Sequence, residues 1–248
     1  MPNYGEINYW ENRYLLQQDS SFDWLEDFDS LRNILEEVFS DKDVSTINSN
    51  ILMLGCGNSH LSERIYKEMN THKIFNIDIS NNVIKSMRDR SKEMNGMTWD
   101  VMDCRDLKFN QGFFDVVIDK CTMDTILCGD NPHLNVAMMT KEVQRVLKVS
   151  GIYMIVSHSE PESRMQHLLR EHLSFDVKVN VMKRELEETA ESNFLIPHLH
   201  QTHYVYVCKK RMGADSVCQD NFHRVYYELE KENVLEEDEE VFMKNEIQ

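Results

Sequence analysis

The residues best placed for chemistry begin with Ile51-Leu-Met-Leu-Gly-Cys-Gly-Asn-Ser59, an apolar run that ends in two glycines one residue apart. A strand stopping at Gly55 and Gly57, with a helix opening near Ser59, would aim turn amides and a helix N-terminus at an anionic or polar ligand group. A bare strand-to-helix turn needs the same two glycines. His60 stands where a dinucleotide fingerprint has its third glycine, and no Gly-Lys-Ser/Thr follows, so NAD, FAD and a Walker-type phosphate loop are disfavoured. Asp78 closes the next apolar run, where a carboxylate can accept both hydroxyls of a ribose. It could instead cap the following helix, although Ser80 already offers that cap. Asp103, in Met102-Asp103-Cys104, could accept from an adenine amino group while the next backbone N–H meets a ring nitrogen, or it is a surface turn residue. Asp119, Lys120 and Asp124 cluster just after a fourth run, either lining a crevice or forming a helix cap with a local ion pair.

These residues need a frame. Ile51–Leu54, Lys73–Ile77, Met97–Val101, Phe114–Ile118 and Gly151–Val156 read as short buried strands. Helical periodicity lies between them, over Ser59–Met69, Asn81–Met94 and Pro132–Leu147, and again near Glu162–His172. Phe175–Met182 and His203–Cys208 close the series without a clear helix between them, which suggests an antiparallel edge hairpin. The pattern predicts an α/β fold: a doubly wound, mostly parallel seven-stranded Rossmann-like sheet, with its ligand crevice at the carboxyl ends of the strands. Ahead of it, Tyr9–Tyr14 and Phe22–Phe39 read as helices. Expected boundaries are a helical cover over 1–50, the binding domain over 51–210 and an acidic tail over 211–248.

The chain has 248 residues and a net charge of −16, half of it between Met212 and Gln248. Such a charge repels phosphate polyanions and anionic membranes and favours a basic protein partner. No apolar run is long enough to span a bilayer. The N-terminus lacks a secretory pattern, and the six cysteines form no Cys-x-x-Cys pair, so a reducing, cytoplasmic setting is expected. His198 and His200 share a face of an extended segment but lack a third ligand at a clear spacing, so no metal is expected. Glu236–Glu240 reads as a solvated charge run.

The order Gly-x-Gly, acid, acid, acid after successive strands resembles class I S-adenosylmethionine-dependent methyltransferases. The stretches YWENRY, FDWLEDF, LGCGNSHLSE, NIDIS, FDVVIDKCTMD and EVQRVLKVSG resemble a eukaryotic subfamily containing elongation factor 1A lysine methyltransferases and the methyltransferase-like 13 proteins. The likeness runs from about Tyr9 to Lys209. It implies S-adenosyl-L-methionine as cofactor, with S-adenosyl-L-homocysteine as product, and elongation factor 1A as substrate. It also implies cofactor contacts from Trp10, Tyr14 and Trp24 in the cover, from Gly55, from Asp78 and Ile79 at the ribose, from Asp103 and Cys104 at the adenine, and from Lys120. Gly57 belongs to the same loop. Aromatic faces attract a sulfonium by about 0.5–2 kcal/mol, although the three aromatics could equally be packing residues. The family usually has glycine where Cys121 stands, beside the acceptor entrance.

A lysine acceptor must be neutral to attack. Deprotonating it at pH 7 from a pKa near 10.4 costs about 4.6 kcal/mol, and desolvation or a neighbouring carboxylate lowers that cost. Asp119 and Asp124 are the expected groups for orienting the amine. A small-molecule methyltransferase and a non-catalytic acidic adaptor on the same fold are the alternatives.

Overall fold

Ile51–Leu54 is buried at every residue and forms β1, as a parallel strand covered on both faces requires. The computed structural model describes residues 3–16, 21–41, 43–44, 49–69, 71, 73–183 and 202–246. The further strands are β2 (Ile74–Asp78), β3 (Met97–Val101), β4 (Phe114–Lys120), β5 (Leu147–Ser157), β6 (Phe175–Lys183) and β7 (Thr202–Lys210). They form one seven-stranded sheet in the order β3-β2-β1-β4-β5-β7-β6. β1 to β5 are mutually parallel, and β7 runs antiparallel between β5 and β6. The order reverses at β1, between β2 and β4, so the crevice opens above the carboxyl ends of these strands.

The helices are α1 (Ile7–Leu16), α2 (Phe28–Ser40), α3 (Leu61–Glu68), α4 (Asn81–Arg90), α5 (Thr122–Ile126), α6 (Pro132–Val146), α7 (Pro161–Leu168) and α8 (Ala214–Glu246). Two apolar cores result, one on each sheet face. Leu31 and Leu35 of α2, Leu61 and Ile65 of α3, and Val83 and Met87 of α4 pack on Met53, Val116 and Ile118. Val136, Met139 and Val143 of α6 and Leu168 of α7 pack on Leu52, Val117 and Tyr153.

Of the boundaries that differ from expectation, three bear on the site and its surroundings. The expected Phe22–Phe39 helix begins only at Phe28, because Asp27 is extended and its side chain accepts the Ser30 N–H as N-cap. Leu25, at φ 60°, cannot belong to a right-handed helix. Residues 22–27 therefore form an irregular arm. β4 runs two residues past Ile118. The acidic C-terminal stretch, where a helix over Phe222–Leu229 is one reading of the sequence, opens as the longer α8, whose Val225 and Leu229 are buried against Ala137 of α6. The helix continues through Glu236–Glu240.

Candidate active site

A cleft of about 1220 Å³, counted to its solvent mouth, lies at the carboxyl ends of β1 to β4. Gly55, Cys56 and Gly57 form its floor; Asp78, Ile79, Asp103 and Cys104 one wall; Lys120, Cys121 and Thr122 the other; and Trp10, Tyr14 and Trp24 its roof.

The floor depends on its glycines. Gly55 and Gly57 both have φ +53°, where a side chain is strained. A Cβ on Gly55 would sit 2.3 Å from Thr122 Oγ1, and one on Gly57 would sit 2.9 Å from Tyr14 Oη. Space is thus kept open between floor, wall and roof.

Asp78 is nearly inaccessible. Its Oδ2 accepts the Gly57 N–H at 3.0 Å and its Oδ1 the Ser80 N–H at 2.9 Å. Burial pushes its carboxyl up to about 6, against the pull of those amides. A carboxylate has about four acceptor positions, so two remain for donors from the cleft. Ser80 itself caps α4, accepting the Val83 N–H, as its type predicts.

Asp103 is clasped by Arg105, whose Nη2 lies 2.7 Å from Oδ2, while Arg105 Nη1 reaches Asn135 Oδ1 at 2.8 Å. Burial would raise the Asp103 carboxyl, but this bond holds it below the usual range. Burial carries the Cys56, Cys104 and Cys121 thiols upward, so none is a poised nucleophile.

The roof is a web of rings. Trp10 stacks on Tyr14 with centroids 5.8 Å apart, Trp24 meets Trp10 edge-on at 6.4 Å, and Phe22 meets Trp24 at 5.2 Å. The Arg13 guanidinium lies 5.0 Å from the Trp24 ring centre. Several residues tie this web down, and sequence reasoning had missed all but one of them. Glu11 accepts the Asn81 N–H at 2.8 Å and the Asn82 N–H at 3.2 Å, so a carboxylate from α1 caps α4 from outside. Lys120, expected to touch cofactor, lines the cleft but directs its Nζ to Asp23 Oδ1 and Trp24 O, each at 3.0 Å. Asp23 also accepts from Ser59 Oγ. Glu26 and His203, both buried, pair at 2.6 Å and pin the arm to β7. Gly5 packs directly on Gly129, where a Cβ would come 2.2 Å from the Gly129 Cα. The local clue was weak: isolated Glu, Asp and Gly residues with partners far along the chain.

Trp10, Tyr14, Trp24, Gly55, Gly57, Asp78, Ile79, Asp103, Cys104 and Lys120 all meet at this cleft. Asp119 and Asp124, the expected amine-orienting pair, do not line it, and this corrects the expectation. Because β4 continues to Lys120, residue 119 falls on the side of Val117 and points beneath α5. There Asp119 Oδ1 accepts the Thr122 N–H at 2.7 Å, and Oδ2 accepts the Tyr153 hydroxyl at 2.9 Å. Burial raises its carboxyl to about 6. It is a buried helix cap. Asp124 is also buried and accepts the Ser157 hydroxyl at 2.7 Å and an N–H of the buried Arg164. His158 Nδ1 stands 3.3 Å from its Oδ1. Burial would raise the Asp124 carboxyl, but the bond to His158 and the Arg164 charge leave it lowered.

Among the described residues no group of three or more His, Cys, Asp or Glu could hold a metal, and no helix is long and apolar enough to cross a membrane. His198 and His200 lie outside the described residues.

A family model described as a methyltransferase domain matches residues 45–230. The chain belongs to the methyltransferase-domain family. The match starts ahead of β1 and ends inside α8. This methyltransferase is 32% identical over 184 residues to EEF1A lysine methyltransferase 4 of Bos taurus, covering 71% of this chain and 69% of that protein. It is 29% identical over 213 residues to the eEF1A lysine and N-terminal methyltransferase of Danio rerio, covering 84% of this chain but only 28% of that protein. Among solved structures it resembles a SAM-dependent methyltransferase from Methanosarcina mazei, with TM-score 0.51 and 15% identity, covering 72% of this chain and 97% of that one. That last likeness speaks for the fold alone.

Proposed function

We propose that this methyltransferase takes its methyl group from S-adenosylmethionine and delivers it to the side-chain amine of a lysine on a basic protein, translation elongation factor 1A. The observation that carries the donor assignment is the buried Asp78 carboxylate, held by the Gly57 and Ser80 amides and left with spare acceptor positions under an aromatic roof. When bound, the donor supplies an electrophilic methyl carbon on a sulfonium, and the electron pair of the broken C–S bond leaves with sulfur.

The remaining work falls to the chain. Asp78 accepts the ribose hydroxyls through charge-assisted bonds. Asp103 and the backbone N–H of Cys104 read the adenine edge. Trp10, Tyr14 and Trp24 offer ring faces to a cation and exclude water, and the positioning this allows can lower a barrier by about 7–11 kcal/mol. The net charge of −16 favours encounter with a basic surface. The substrate assignment is supported by the names of the two relatives, one of them covered over 69% of its length.

The test is incubation of the full chain with methyl-labelled S-adenosylmethionine and a cell extract, beside calorimetric titration of the donor into wild type and Asp78→Ala. Label on a band the size of the elongation factor, with binding heat lost in the variant, is expected. Label confined to small molecules would defeat the lysine assignment, and no heat from the wild type would defeat the donor assignment.

A further inference from the structure

Lysine methylation needs somewhere for the ammonium proton to go, and the two carboxylates at the end of β4 and in α5 are unsuited to take it. Asp119 is fully buried with both oxygens engaged under α5. Asp124 is held ionised in a buried pair with Arg164, which makes it a weak proton acceptor. A different group stands beside Asp124. β4 and β5 run in register with Lys120 opposite Val156, and the Cys121 N–H donates to Val156 O at 3.0 Å. Lys120 and Cys121 line the donor cleft. His158, two residues past Val156, follows the carboxyl end of β5, the strand paired with the one that carries that wall. Its side chain is 63% exposed, and its Nδ1 faces Asp124 Oδ1 at 3.3 Å, leaving Nε2 directed away from that carboxylate. Asp124 is in turn fixed by the Ser157 hydroxyl and by Arg164. This is an imidazole oriented by a carboxylate that is itself braced from behind, the arrangement that suits a proton acceptor.

We propose that His158, oriented by Asp124, accepts the proton of the acceptor amine before methyl transfer. In that step an N–H bond of the ammonium breaks, its electron pair stays on nitrogen, and Nε2 of the neutral imidazole takes the proton. The proposal rests on the amine-acceptor reading above. The charged groups facing the imidazole are Asp124 from α5 and Arg164 from α7, and the bond to Asp124 outweighs burial and the Arg164 charge to raise the imidazole above its ordinary value. A base whose proton affinity is raised takes up the amine proton more readily while it is itself neutral.

The test compares wild type with His158→Ala and His158→Gln, changes at an exposed side chain. A fall in kcat of about a hundredfold is expected, with donor affinity and Tm unchanged. Wild-type kcat should rise with pH and level off above the imidazole's titration, whereas log kcat of the variants should climb steadily through the neutral range. Added imidazole should partly restore His158→Ala. A readout apart from turnover is the His158 imidazole titration followed by NMR in the free protein: it should lie above that of a solvent-exposed histidine and fall in Asp124→Asn. Should Asp124→Asn not fold, the wild-type titration stands alone as this readout. Variants with wild-type rate and pH profile, or an imidazole that titrates like any exposed histidine, would overturn the proposal. A wild type that binds donor yet labels no protein would instead overturn the amine-acceptor reading, and this proposal with it.

Discussion

Asp78→Asn separates what the donor needs from what the fold needs. The Asp78 carboxyl titrates at about 6 in the folded chain against a reference of 3.8, a difference equivalent to about 3 kcal/mol. The folded state holds this proton more tightly than the unfolded state does. Its contribution to stability is therefore fully present below pH 3.8, is lost as pH rises to about 6, and stays lost at pH 7. An asparagine cannot ionise and escapes that loss. Its single oxygen must serve two N–H groups, those of Gly57 and Ser80, and leaving one unmet costs about 1–3 kcal/mol. The free variant should thus lie between parity and about 2 kcal/mol more stable than wild type at pH 7, with that difference growing from pH 4 to pH 7. Asp119, also at about 6, is present in both proteins, so it cancels from the comparison. Donor binding should move the other way. Two hydrogen bonds to a charged acceptor, at about 1.5–3 kcal/mol each, correspond to a Kd weakened by about 10² to 10⁴. Urea denaturation across pH, with calorimetric titration of S-adenosylhomocysteine, measures both sides. A variant that loses stability at pH 7 while binding within tenfold of wild type would show that Asp78 merely caps the glycine turn, and the donor reading would fail.

Other parts of the site make separate demands. Gly57→Ala forces a side chain to φ +53° and toward Tyr14 Oη, so a stability loss of about 1–2 kcal/mol and weaker donor binding are expected by denaturation and calorimetry. Cys121→Gly should stabilise by about 0.5–1 kcal/mol in thermal melts, because Cys121 sits at φ 69° and relief of left-handed strain exceeds the added entropy of the unfolded chain. Lys120→Met removes the cation that Asp23 and Trp24 share. Burial favours a raised Asp23 carboxyl, but Lys120 and Ser59 keep it lowered. An upward move of the Asp23 titration, read by NMR, and a red-shifted tryptophan emission should follow, while an unmoved Asp23 would mean that Ser59 alone holds it.

Why were some of these residues readable from sequence and others not? The place of Asp78 and Asp103 beside the cleft was legible because a doubly wound sheet opens its crevice at strand ends, and the ends of β2 and β3 are marked by a change from apolar to polar residues. β4 gives no such mark. Phe114-Asp-Val-Val-Ile-Asp-Lys120 is buried on both faces through Asp119, so no alternation reveals which of Asp119 and Lys120 faces the cleft. Extending the strand by two residues turned one from expected catalyst into buried cap. The roof's ties were illegible for another reason. Glu11 reaches Asn81 across 70 residues and Glu26 reaches His203 across 177, separations that no local period encodes. Only the Phe222–Leu229 part of α8 was legible as a helix, because beyond it acidic residues outnumber apolar positions of the kind, Val225 and Leu229, that fasten the helix to Ala137.

The ties also differ in strength, and this bears on how a roofed cleft admits its ligand. The arm over 22–27 is held by groups largely out of water: Lys120 on Asp23, and Glu26 on His203. Breaking such pairs strands a buried charge, which is costly. α1 is held differently. None of its residues is fully buried, and the carboxylate of Glu11 that anchors it to α4 is only partly buried, so water competes for its contacts. Ahead of it, Gly5 meets Gly129 through backbone packing with no side chain to interlock. Trp10 and Tyr14 therefore ride on the part of the roof that costs least to lift, while Trp24 rides on the part that costs most. A donor entering from above would displace the first two rings and leave the third in place, still tied to Lys120 at the end of β4, so that wall keeps its shape while the roof opens.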